Sequence, residues 1–203
     1  MWNRLRYTVW APIYDTLAGA VGFDAVRRES IARLGLREGH RLLIVGAGTG
    51  LDLPHVPRGV HVAAVDVTPA MVRRFELRAA RLGIAADARV ADARDLPWAE
   101  ASCDAAILHL VLSVMPAPEI GLREVARVLQ PGGRVGVFDK FLGEHERPSA
   151  RRHLLNALAK PLFSDMNRRL EPMVRHAGLV IERDEPSVFG GMYRLVTLSR
   201  PRC

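Results

Sequence analysis

A mainly parallel α/β sheet is the fold class the sequence predicts. Three observations predict it: short apolar runs that end in a polar residue, helical patterns between those runs, and a glycine-rich turn directly after the first of them. Residues 41–45 (Arg-Leu-Leu-Ile-Val) read as a buried first strand and run into Gly46-Ala47-Gly48-Thr49-Gly50. Residues 61–65 read as a second strand, ending at Asp66. Thr68 as N-cap, with Pro69 at the first helical position, opens a helix to about Leu82. Residues 86–91 read as a third strand ending at Asp92, and residues 104–109 as a fourth ending at His109. A helix over about 117–129 is stopped by Pro131-Gly132-Gly133, and residues 134–138 form a fifth strand ending at Asp139. The last two strands, about 179–184 and 192–199, leave no room for a helix between them, so they pair as an antiparallel hairpin at one edge. Two segments, 1–35 and 142–177, lie outside this core; the whole chain, 1–203, suits a single domain.

Composition narrows the classes. The chain is 49% hydrophobic and 25% charged, which fits a soluble globular protein. No apolar run reaches the ~18 residues of a membrane-spanning helix, and no secretory signal is read at the N-terminus. The two cysteines, Cys103 and Cys203, build no disulfide framework, and a reducing cytoplasm fits. No Cys/His spacing resembles a zinc site, so no metal is expected; Cys103 reads as a small buried hydrophobe and His145 as part of a solvated loop. The formal net charge is +7, and only Lys140 and Lys160 among the basic residues are lysines. Such a balance favours nucleic acid, anionic lipid or acidic substrates, or else reflects an arginine-rich solvated face.

The glycine turn has the spacing G-x-G-x-G, with Leu51 where the dinucleotide fingerprint has its last glycine. No Gly-Lys-Ser/Thr follows, so it is not a P-loop. Three close glycines let the backbone approach a ligand without a Cβ in the way, although a ligand-free strand-to-helix turn has the same composition. Asp66 stands where an acid accepts from both ribose hydroxyls. Asp92, at the end of the third strand, stands where a carboxylate accepts from the adenine amine. Taken singly, strand-end aspartates cap helices and face solvent. In this order after this turn, they converge on one adenosine at the carboxyl edge of the sheet.

The blocks "LLIVGAGTG", "AAVDVTPAMV", "VADARDLPW" and "EVARVLQPGGRVGVFD" together resemble class I S-adenosylmethionine-dependent methyltransferases over about residues 37–140. The resemblance implies a Rossmann-like seven-stranded sheet in the order 3-2-1-4-5-7-6, with helices on both faces and the last inserted strand antiparallel. It implies S-adenosylmethionine as cofactor and S-adenosylhomocysteine as product. By position, Gly46, Gly48 and Gly50 face the methionine part, Asp66 binds the ribose, and Val67 packs on the adenine. Asp92 and the Ala93 backbone read the adenine edge, and His109 lines the methyl-donor pocket. A packed strand-end histidine bonded to a backbone group is the plainer reading of His109. One departure stands out. The family carries an acid two residues before the first glycine, where this chain has Ile44. Ile44 is expected to pack as a strand residue and to touch no ligand charge.

Methyl transfer leaves the reactivity to the cofactor, so the protein must align the acceptor and exclude water. The two outer segments are the expected source of acceptor recognition. In the first, Trp2, Leu5, Val9 and Ile13 fall near one helical stripe beside Arg4 and Arg6, with Tyr7 and Trp10 as amphipathic aromatics. In the second, Leu154, Leu155, Leu158 and Leu162 recur at helical spacing among Arg151, Arg152, Lys160, Arg168 and Arg169. Each reads as a membrane-surface segment or as a lid. Within the family, "APIYD", "LHLVLSVMP" and "DKF" are similar to bacterial phosphatidylethanolamine N-methyltransferases and to ubiquinone/menaquinone C-methyltransferases. The finer resemblance implies successive N-methylation of a lipid amine at an anionic membrane surface. It makes Tyr14 and His109 the catalytic candidates, and Tyr14, Lys140, Arg151 and Arg152 the lipid contacts. The expected location is the cytoplasm, peripherally on the inner face of the cell membrane, with no nucleic-acid partner. The alternatives are a quinone-precursor or small-molecule methyltransferase, a non-catalytic adenosyl-ligand domain, and a nicotinamide-dependent oxidoreductase.

Overall fold

The computed structural model describes residues 22–143 and 167–202. Within them the chain runs α1 (Phe23–Arg33), β1 (Arg41–Val45), a 3-10 turn (Leu53–His55), β2 (His61–Asp66), α2 (Pro69–Leu82), β3 (Ala86–Val90), β4 (Cys103–His109), α3 (Pro118–Val128), β5 (Leu129–Lys140), α4 (Leu170–His176), β6 (Val180–Pro186) and β7 (Tyr193–Ser199). The seven strands form one sheet in the order β3-β2-β1-β4-β5-β7-β6. Strands β1 to β5 pair in parallel, and β7 pairs antiparallel with both β5 and β6. The expected order and antiparallel hairpin are therefore both present.

Buried parallel strands read as continuous apolar runs because both faces are covered. Alternate residues supply the two faces. Leu42, Ile44, Val62, Ala64, Ala105 and Ile107 pack with Ile31 of α1 and Phe75 of α2. Leu43, Val45, Ala63, Val65, Leu108 and Val137 pack with Leu122 and Val125 of α3 and with Leu170 and Met173 of α4. Helix α2 starts as the sequence reading places it, with Thr68 at the N-cap and Pro69 next, and stops at Gly83 in the left-handed region (φ 65°). Cys103 is buried in the second cluster, in keeping with a small hydrophobe.

Two boundaries differ from expectation. Strand β3 ends at Val90, because its pairing with β2 ends at Asp66↔Val90, so Asp92 sits two residues into the following loop. Strand β5 begins at Leu129 and passes through Pro131-Gly132-Gly133. The ladder slips between Cys103↔Leu129 and Ala105↔Arg134, so the Pro-Gly-Gly run lies in a bulge. On its other side, Gly132 N–H donates to the Arg200 carbonyl and Arg200 N–H to the Gly133 carbonyl, each within 2.9 Å. An added Cβ at Gly133 would lie 2.7 Å from the Asp104 carbonyl oxygen, which explains the glycine there.

Parts of the two outer segments belong to the core. Helix α1 falls within residues 1–35 and buries Phe23, Val26 and Ile31. Arg168 donates to the carbonyls of Leu112 and Met115, and Arg169 to that of Gly143 at 2.7 Å. These two arginines clamp backbone. The stripe from Trp2 to Ile13, Tyr14, His145, Arg151, Arg152, Lys160, the leucine stripe 154–162 and Cys203 lie outside the described residues. Among the described residues, no helix is long and apolar enough to cross a membrane.

Candidate active site

The glycine turn and the second-strand acid form one hydrogen-bonded unit. All three turn glycines have positive φ: 70° at Gly46, 52° at Gly48 and 80° at Gly50. Ala47 N–H donates to the Val65 carbonyl at 2.9 Å, which binds the turn to the end of β2. Gly48 N–H donates to Asp66 Oδ2 at 3.0 Å, and Thr68 N–H donates to Asp66 Oδ1 at 2.8 Å. Burial is the largest influence on the Asp66 carboxyl; the two N–H donors oppose it, and the net effect is a titration above the ordinary carboxylate range. Val67, next in sequence, is exposed at the same edge.

Among the described residues, a Cβ built on Gly48 would meet nothing nearer than the Gly46 carbonyl oxygen at 3.9 Å. Gly46, in contrast, is closed from one side, since a Cβ there would lie 2.6 Å from Val111 Cγ2. Asp92 accepts the N–H of Arg94 at 2.9 Å and a two-pronged contact from its guanidinium, with Nη2 2.7 Å from Oδ2 and Nε 3.0 Å from Oδ1. The neighbouring Ala93 is buried. An open glycine cradle, a strand-end carboxylate and an exposed aliphatic beside it suit an adenosyl ligand.

His109 is packed at the end of β4. Its side chain is 1% exposed. Nδ1 lies 2.7 Å from Asp52 Oδ1, and Nε2 lies 2.9 Å from Ser30 Oγ. Asp52 Oδ1 also receives Arg27 Nη1 at 2.7 Å. Both ring nitrogens are thus engaged, and the histidine joins the end of β4 to Asp52, just past the turn, and to Ser30 of α1. Burial most strongly opposes charge on Asp52. The Arg27 guanidinium and His109 outweigh it and hold the carboxyl well below the usual carboxylate range. Sequence reading missed Asp52, Arg27 and Ser30. Asp52 left a signal, an acid just past the turn, whereas Arg27 and Ser30 are brought in only by the packing of α1.

Further along the same edge, Lys140 closes β5 and pairs with Tyr193, the first residue of β7. Lys140 Nζ stands 5.4 Å from the centre of the Tyr193 ring. Burial pushes the Lys140 ammonium below its ordinary range and the Tyr193 phenol up to about 12. Asp139 is fully buried and accepts the N–H groups of Ser113 and Lys140 at 2.9 and 2.7 Å; burial raises its titration. Phe23, Phe138 and Tyr193 stack edge-to-face or tilted at 5.1–5.5 Å, and Leu51 and Leu110 pack against them, joining this aromatic group to the glycine turn.

Comparison with known proteins bears on this geometry. Residues 43–137 match the model of a methyltransferase domain. The chain is 29% identical to the phosphatidylethanolamine N-methyltransferase of Cereibacter sphaeroides over 196 residues, 96% of this chain and 95% of that one. It is 30% identical to the O-methyltransferase resE of Aspergillus sclerotiorum over 166 residues, 78% of this chain and 61% of that one. The geranyl diphosphate C-methyltransferase of Streptomyces coelicolor, solved with S-adenosyl-L-homocysteine, shares the fold at a TM-score of 0.72 and 19% identity, with 87% of this chain and 80% of that one covered. Nitrogen, oxygen and carbon acceptors all occur among these relatives, so the match speaks to the methyl donor and not to the acceptor. With the strand order and the glycine–aspartate unit, these findings identify residues 43–137 as a methyltransferase domain that uses S-adenosylmethionine.

Proposed function

We propose that the chain methylates the amine of phosphatidylethanolamine at an anionic membrane surface, in successive steps towards phosphatidylcholine. The observation that carries this reading is the near end-to-end match with the Cereibacter sphaeroides enzyme, which extends through both segments outside the cofactor core.

In this reading Gly46, Gly48 and Gly50 lie along the methionine part, Asp66 accepts the ribose hydroxyls, Val67 covers the adenine, and Asp92 with the Ala93 backbone meets its edge. Asp92 exchanges its Arg94 partner for the base amine. Bound S-adenosylmethionine supplies a sulfonium methyl group ready for one-step in-line displacement. The protein's share is alignment and exclusion of water. Lys140 supplies a cation for the lipid phosphate, and Tyr193 supplies an apolar wall beside it. Tyr14, from the segment before α1, covers the cofactor, and Arg151 and Arg152 meet the anionic surface. Asp139 and His109 are too enclosed to take the acceptor's proton directly.

The deciding experiment uses labelled S-adenosylmethionine with a panel of lipids: phosphatidylethanolamine, its monomethyl and dimethyl forms, and quinone precursors. Label in the three ethanolamine lipids supports the reading. Label confined to a quinone precursor replaces it with C-methylation, and label in neither removes the lipid acceptor. Vesicle sedimentation at low and high salt tests the surface. Attraction to anionic vesicles should fall as salt screens the arginines.

A further inference from the structure

Phe189 forms the tip of the hairpin between β6 and β7 and is 56% exposed. Its backbone is left-handed (φ 55°), a conformation that bulky residues rarely hold. The following Gly190 and Gly191 are also left-handed, at 62° and 85°. Ser187 N–H donates to the Tyr193 carbonyl at 2.8 Å and Met192 N–H to the Phe189 carbonyl at 3.2 Å. This tight turn presents the phenylalanine at the hairpin tip. Its ring still touches the aromatic group below, 5.7 Å from Tyr193 and 6.2 Å from Phe23. That group reaches the glycine turn through Leu51 and carries Lys140 over Tyr193. The exposed aromatic therefore stands at the carboxyl edge of the parallel strands, linked to Lys140 through the Tyr193 ring.

We propose that the Phe189 tip is an interfacial anchor that inserts into a phospholipid bilayer and sets the acceptor edge against the head groups. This rests on the lipid-acceptor reading above. A bilayer fits better than a protein partner on area. One aromatic buries ~150–250 Å², far below the ~800 Å² that each side of a stable protein complex contributes. Insertion into acyl chains needs no matching surface, only an apolar side chain held out rigidly near positive charge. The chain's net charge of +7 complements an anionic bilayer.

The test uses the full chain with F189S and F189W and vesicles of phosphatidylethanolamine with phosphatidylglycerol. F189S should need about tenfold more lipid for half-sedimentation, the equivalent of losing one buried aromatic. F189W should bind at least as well as the parent. Both variants should keep the parent's melting temperature and affinity for S-adenosylhomocysteine, because the ring lies outside the cofactor site. Sedimentation of F189S equal to the parent overturns the anchor. Equal losses of vesicle and cofactor binding overturn it too, since they make Phe189 a wall of the site. Methyl transfer to phosphatidylethanolamine in detergent micelles separates the two proposals. Activity there with unaltered F189S sedimentation overturns the anchor alone. No activity there, with F189S still impaired on vesicles, leaves the anchor standing and removes the acceptor assignment.

Discussion

Nδ1 of His109 lies 2.7 Å from Oδ1 of Asp52, and this contact ties the end of β4 to the residue two places beyond the last turn glycine. An ionised carboxylate only accepts, so the imidazole N–H donates to it. Arg27 of α1 reaches the same oxygen. Three separate stretches of chain thus meet under the cofactor turn, in a buried group whose charge is matched internally.

Breaking that match should be costly. Asp52→Ala leaves Arg27 buried without its partner, and a loss of about 3–5 kcal/mol is expected in urea denaturation at neutral pH. The folded carboxyl titrates below its unfolded value. Its stabilisation is therefore fully present above about pH 4 and disappears as pH falls through the folded value. Acid titration should show Asp52→Asn without this component.

Asp66 should give cofactor binding a dependence of its own on pH. Its folded titration lies above the ordinary value of 3.8, chiefly because of burial. Ribose hydroxyls need the ionised acid as acceptor, so calorimetric affinity for S-adenosylhomocysteine should fall as pH drops through that raised range. In the ligand-free protein the same shift favours the protonated form. Its contribution to stability is present below the unfolded value and is lost as pH rises through the folded one. Asp66→Ala should weaken cofactor binding by about 1–3 kcal/mol and remove the pH dependence.

Gly46→Ala should abolish cofactor binding before it abolishes folding. The new methyl group would press on Val111 Cγ2 at 2.6 Å and Cβ at 2.9 Å, and φ is 70°. Val111→Ala in the same chain should relieve the contact but leave the backbone strain of about 1 kcal/mol. Partial recovery of affinity in the double variant would separate the two causes; full recovery would show that strain contributes nothing.

Ile44→Glu should not restore the family's missing acid. Ile44 is 1% exposed and packs with Ile31, Leu53 and Ile107. A carboxylate there has no water and should cost about 3–5 kcal/mol as an uncompensated buried charge. The expected result is a lower denaturation midpoint with no gain in cofactor affinity. A tighter complex would show that the position reaches the ligand after all.

The sheet was legible in the sequence because each strand carries its own signal. Continuous apolar runs such as Leu42 to Val45, glycines where φ must be positive, and Pro69 after Thr68 are local requirements of the backbone, readable within a few residues. The glycine turn, Asp66 and Asp92 were legible for the same reason. The helix ends before Pro131-Gly132-Gly133 as its sequence predicts, but the strand that passes through this run is not readable locally, since only pairing with Arg200, far along the chain, satisfies that backbone. His109 was readable as a strand-end residue, but its partners were not. Whether an imidazole faces a ligand or is sealed beneath one depends on which helix covers it. Here α1 brings Ser30 and Arg27, 79 residues from His109 and 25 from Asp52, into hydrogen-bonding reach. Local propensity determined the elements and the cofactor motif of this protein; long-range packing alone decided which polar groups were buried and paired, because desolvation acts on neighbours in space and not in sequence.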